Sequence, residues 1–125
     1  MNMVLLFSHK LTDTQTKDAI ENLKVTNFRY LPDNLQKVWS NVPSELVDLE
    51  EYSKQFKDFV RLVAKKGDYV LIQGDFGLTC KMVEWCKQNG YIPVYSTTKR
   101  DVIEEVKNGK VVKTSKFEHK LFRKY

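Results

Sequence analysis

Apolar positions along this chain follow two different rhythms. Val4-Leu5-Leu6-Phe7 and Tyr69-Val70-Leu71-Ile72 are unbroken runs, too short for helices and sharply bounded, as expected of strands buried on both faces. Between them the period becomes helical. Thr12 with Gln15 forms a capping box, and Thr16, Ala19, Ile20 and Leu23 then share a face down to about Lys24. Asn27 to Leu31 reads as a short edge strand stopped by Pro32. Leu31, Leu35, Val38, Trp39 and Val42 recur at helical spacing until Pro43, and Leu49, Tyr52, Phe56, Phe59, Val60 and Val63 mark a stronger amphipathic helix within residues 44–66.

Downstream of the second apolar run lies Gly74-Asp75-Phe76-Gly77, after which Met82, Val83 and Cys86 set a helical face from Thr79 to Gly90. Strand, glycine loop and helix together make a layout that can cradle an anion at the helix N-terminus near Thr79. It is neither a Walker motif nor a G-x-G-x-x-G fingerprint, and a tight turn with Asp75 capping the helix explains it equally well. Ile92 to Ser96 reads as a strand that Pro93 confines to a start or an edge, emptying into Thr97-Thr98-Lys99-Arg100. Val102, Glu104 and Val106 then alternate up to Asn108-Gly109, a two-residue hairpin signal, and Val111-Val112 resume beyond it. Phe117, His119, Leu121, Arg123 and Tyr125 fall on one face of an extended segment, with Phe122 breaking the alternation. Alternating strands and helices imply an α/β domain over residues 1–125, with a mostly parallel sheet and a C-terminal antiparallel hairpin annex.

Composition narrows the chemistry. A length of 125 residues suits one core, and 21 Lys and Arg against 16 Asp and Glu leave a net charge of +5, a modest bias toward polyanions. Cys80 and Cys86 sit about 9 Å apart along one helix, too far for a disulfide, and zinc-type Cys/His spacings are missing, so neither metal nor cofactor is expected. The N-terminal apolar stretch is too short for a signal peptide, and no run approaches a membrane span. A reducing, cytoplasmic home and no membrane partner follow as expectations.

In a parallel sheet the loops after the strands gather along one edge, where ligands bind. Those segments are Ser8-His9-Lys10, Gln73-Gly74-Asp75-Phe76-Gly77 leading to Thr79, and Thr97-Thr98-Lys99-Arg100. Together they offer hydroxyls, an imidazole, a carboxylate, glycine amides and cations, a set suited to gripping phosphates. Each also has a plainer explanation. His9 can be a surface residue, Asp75 a cap, Arg100 a partner of Asp101 or Glu104, and His119 a packed histidine.

Several segments also carry a family resemblance. Leu5 to Thr12, Leu31-Pro32-Asp33-Asn34-Leu35-Gln36 with Trp39, Gly67-Asp68, Gln73 to Gly77, Pro93 to Thr98, and Phe117, His119, Phe122, Arg123 and Tyr125 resemble a small CRISPR-associated accessory family of type III systems. Members of that family are similar to ring nucleases, which degrade the cyclic oligoadenylate messenger and so switch off type III signalling. The resemblance implies a Rossmann-like three-layer fold, a symmetric homodimer and cyclic oligoadenylate, with tetra-adenylate the expected ring, as partner rather than long nucleic acid. Ser96 stands where the family pattern has alanine, and Tyr91-Ile92 where it has a glycine-led pair; neither departure touches the expected site.

Ring cleavage needs no metal, because a ribose 2′-hydroxyl attacks the adjacent phosphate once groups are aligned and protons moved. On that reading His9, Ser8 and Asp75 form the catalytic set, with His9 as acid or base, Ser8 donating a hydrogen bond and Asp75 orienting a ribose hydroxyl or accepting its proton. Lys10, Lys99, Arg100 and the amides of Gly74 to Gly77 hold phosphates, Thr98 donates a hydrogen bond, and Gln73, Phe76, Thr79 and Thr97 complete the ligand contacts. Two other classes stay open. One is a module that senses or sequesters the ring without cutting it, and the other is an interaction protein whose basic tail meets RNA.

Overall fold

The computed structural model describes residues 1–125. In chain order the elements are β1 (Asn2–Leu6), α1 (Asp13–Leu23), β2 (Asn27–Tyr30), α2 (Asp33–Ser40), α3 (Glu50–Val63), β3 (Tyr69–Ile72), α4 (Phe76–Gln88), β4 (Ile92–Lys107) and β5 (Lys110–Lys124). They form an α/β structure around one five-stranded mixed sheet of order β2-β1-β3-β4-β5. The first four strands run parallel, and β5 returns antiparallel to β4. No helix is long and apolar enough to cross a membrane.

The side chains of β1 and β3 alternate between two cores, which is why both segments read as unbroken apolar runs. Val4, Leu6, Val70 and Ile72 pack with Trp39, Phe56, Val60, Leu78, Met82 and Cys86 from α2, α3 and α4. Met3, Leu5 and Leu71 face the other way, joining Ala19 and Val25 with Val94 and Phe122. Three helices therefore cover one face and α1 alone covers the other. Both cysteines are free, and burial pushes the Cys86 thiol up to about 12.

The capping box on α1 forms as expected: Thr12 Oγ1 accepts from the Gln15 amide, and Gln15 Oε1 accepts from the Thr12 amide. Its inward face differs from the periodicity. Gln15 and Ala19 are buried while Ile20 is 49% exposed, because Gln15 is drawn inward by a hydrogen bond to Ser96. Asp68 fastens the start of β1 to the turn before β3, accepting from the amides of Asn2 and Lys65 and from Asn2 Nδ2. Burial pushes its carboxyl up, but these hydrogen bonds outweigh burial and hold it below the usual carboxylate range.

Two expectations are corrected. Helix α4 starts at Phe76 rather than near Thr79, since Asp75 caps it by accepting from the Leu78 amide at 3.0 Å. Thr97 to Arg100 is no loop. Strand β4 continues through it to Lys107, pairing Thr98 with His119 and Arg100 with Phe117. The Asn108-Gly109 turn does close the hairpin, both residues holding positive φ (52° and 74°), as a tight two-residue turn requires. Pro93 lies near the start of β4, which is an inner strand. A register shift between Ser96 and Thr98 explains Phe122: it resets the phase of β5, so Phe122 turns inward with His119 while Leu121 turns out.

Candidate functional site

A cleft of about 570 Å³ opens where the carboxyl ends of β1 and β3 meet the root of the β4–β5 hairpin. From the first come Phe7, Ser8 and His9, from the second Gln73 and Gly74, from the hairpin Ser96, Thr98 and Phe117, and from α1 Gln15. An adjoining hollow of about 400 Å³ shares Ser8 and Gly74 and adds Trp39, Ser40 and Asp75.

Each wall is fixed by hydrogen bonds across elements. Helix α2 clamps the first loop, with Gln36 Nε2 donating to the Ser8 carbonyl at 3.0 Å and Ser8 Oγ donating at 2.8 Å to Ser40 Oγ, whose own proton goes to the Gln36 carbonyl at 2.9 Å. Trp39 Nε1 donates to the Gln73 carbonyl at 3.1 Å, and Gln73 Oε1 accepts from the Ser96 amide at 2.8 Å, tying the second loop to β4. Gly74 is required by this packing: a Cβ there would lie 2.7 Å from Trp39 Nε1. His9 is exposed, and its ring meets the edge of Phe7 with centroids 5.3 Å apart.

Of the expected site residues, the cleft brings together Ser8, His9, Gln73, Gly74 and Thr98. Asp75 lies next door in the hollow, its carboxylate engaged as the α4 cap. The others stand apart from the lining. Lys10 and Lys99 are exposed, and Arg100 is exposed above Phe117 with a hydrogen bond to Ser115. Phe76 and Gly77 belong to the exposed first turn of α4, with Phe76 91% exposed. Thr97 bridges to the amide and carbonyl of Leu121 and so serves the hairpin ladder. Thr79 faces a separate depression with Cys80, Val83 and Tyr125. The early start of α4 moves it one turn away from the loop.

Sequence reasoning passed over Gln15, Ser96, Asp18 and His119 as site groups. Ser96 is 8% exposed on the cleft wall, so its departure from the family pattern does touch the site. Gln15 Nε2 donates to Ser96 Oγ at 3.3 Å; on its other side that oxygen lies 2.5 Å from His119 Nδ1, and His119 Nε2 lies 2.7 Å from Asp18 Oδ2. The available signal was two polar residues, Gln15 and Asp18, beside Ala19 on one turn of a helix whose inward face should be apolar.

Fold and cleft together define an α/β protein with a polar, aromatic-edged site at the carboxyl ends of its central parallel strands. The chain belongs to the Uncharacterized protein MJ1673 family, whose model matches residues 1–123. A relative from Methanocaldococcus jannaschii, Uncharacterized protein MJ1673, is 54% identical over 123 residues, which cover 98% of this chain and 95% of the relative. No solved structure matches the chain.

Proposed function

We propose that this protein is a metal-independent ring nuclease that opens cyclic oligoadenylate, with cyclic tetra-adenylate as the ring, and thereby ends type III CRISPR signalling in the cytoplasm. The observation that carries the reading is the meeting of Ser8, His9, Gly74 and Thr98 in one cleft, although these residues are remote along the chain. The strand order supports a Rossmann-like assignment, because a sheet built 2-1-3-4 from parallel strands offers its ligand crevice at that edge. Phe7 and Phe117 give an adenine two apolar surfaces, and Thr98 and the Gly74 amide give phosphate oxygens hydrogen-bond donors.

His9 needs only to move a proton, as the 2′-hydroxyl oxygen bonds to phosphorus and the 5′-oxygen departs, leaving a cyclic phosphate end. Lys10, Lys99 and Arg100 stand outside the lining, and their role is to attract the polyanion rather than to bond it in the cleft. A symmetric homodimer suits a ring with rotational symmetry, each copy gripping half.

Incubation of micromolar protein with cyclic tetra-adenylate in excess EDTA is the test. Linear products ending in a cyclic phosphate are expected, and intact ring after long exposure rejects the enzymatic reading. A retained ring with no product would instead identify a sequestering module.

A further inference from the structure

Asp18, His119 and Ser96 come from three distant parts of the chain, yet they line up across the root of the hairpin. His119 is held between the other two, its side chain 4% exposed and that of Asp18 14% exposed. A carboxylate only accepts, so the Asp18 contact places a proton on Nε2 and leaves Nδ1 as the acceptor. Ser96 Oγ already accepts from Gln15 Nε2, so its own proton points at His119 Nδ1. A hydroxyl donating to an imidazole that is oriented by a carboxylate is the arrangement that turns a serine into a proton acceptor or nucleophile. Here the ring nitrogens are used in the order opposite to the serine-protease arrangement. Ser96 is the end of this line that reaches the cleft, 8% exposed on its wall.

We infer that Asp18, His119 and Ser96 form a proton relay whose working end, Ser96 Oγ, takes the proton of the hydroxyl that attacks a phosphodiester in the cleft. The choice of a ribose phosphodiester as substrate rests on the function proposed above; the relay itself rests on the three side chains. In the step, the 2′-O–H bond breaks and its proton goes to Ser96 Oγ, while the serine proton passes to His119 Nδ1 and the new imidazolium pairs with Asp18. The 2′-O–P bond forms as the P–O5′ bond breaks, and the departing 5′-oxygen takes a proton from His9 across the cleft. Solvent then restores both histidines. Ser96 is the catalytic residue of the relay, and His119 and Asp18 act through it as positioning residues.

A fluorophosphonate probe tests the relay without any ring. A serine that passes its proton to His119 also attacks electrophilic phosphorus: an Oγ–P bond forms, fluoride leaves, and the proton departs through Nδ1. Mass spectrometry should place the label on Ser96, with none on Ser96→Ala. Labelling should slow by ~10²–10⁴-fold in His119→Gln, the range for a lost acid–base partner, and slow markedly in Asp18→Asn. Nitrogen-15 NMR checks the tautomer on which the relay depends: the His119 ring should carry its proton on Nε2, and a proton on Nδ1 instead would overturn the relay. Because Asp18 is the less buried end of the line, its side chain 14% exposed against 4% for His119, the Asp18→Asn variant keeps the test available if His119→Gln does not fold. Label on Ser96 beside an untouched ring would keep the relay and reject the ring substrate. Cleavage of the ring with no label on Ser96, or at the wild-type rate in Ser96→Ala, would overturn the relay and leave the ring reading standing.

Discussion

Two parts of this molecule use apolar residues in strands for opposite purposes. In β1 and β3, Val4, Leu5, Val70 and Leu71 are 0% exposed, packed between helices on both faces. In the outer hairpin, from Lys99 to Glu118, Val106 is 75% and Val111 62% exposed, and the two strands pair only with each other. A two-stranded ribbon is marginally stable in water, so this one depends on its root, where β4 continues the parallel sheet beside β3. The cleft sits at that junction. Rigid loops from the packed half form two of its walls and the hairpin root forms another, which explains how one small domain can hold a fixed site beside a solvent-exposed arm.

The contrast can be broken first in the packed half. Trp39 is 1% exposed, stacks edge-on against Phe56 and donates to Gln73, so Trp39→Ala removes core volume and unfastens the second loop together. A loss of about 3–5 kcal/mol is expected from urea unfolding. Asp68 gives the next largest effect. Its carboxyl titrates below the usual range in the folded chain, so its contribution is fully present above pH ~4 and disappears as pH falls through the folded value. Asp68→Asn should cost about 1–3 kcal/mol near neutral pH, and the gap between its urea midpoint and that of the wild type should narrow on acidification. The arm should give the smallest effect. Val106→Ala lies beyond any core and should change stability by less than about 0.5 kcal/mol in the same experiment.

The packed half was readable in the sequence because burial on two faces leaves an unbroken apolar run, and because Thr12, Gln15, Asn108 and Gly109 carry local signals for a cap and a turn. The hairpin root was misread for a physical reason. A ribbon exposed on both faces needs no apolar alternation, so Thr97 to Arg100 looked like a loop although it is paired strand. Asp75 hid the true start of α4, since one carboxylate serves as well for a cap as for a catalyst. Ser8, His9, Gln73 and Gly74 meet in the cleft because polar residues directly after a buried strand gather at the sheet edge, whereas Thr98 reaches it from within β4. Asp18, Ser96 and His119 were beyond such reasoning: only the register of β4 on β5, with its shift between Ser96 and Thr98, brings them into line.

The central claim is that the ligand binds at the junction and not along the arm. Amide NMR during titration with cyclic tetra-adenylate tests it most directly. Shifts should concentrate at residues 7–9, 73–74, 96–98 and 117–119, while the turn at Asn108-Gly109 stays still. Shifts confined to the arm tip, or none at millimolar ring, would contradict the account.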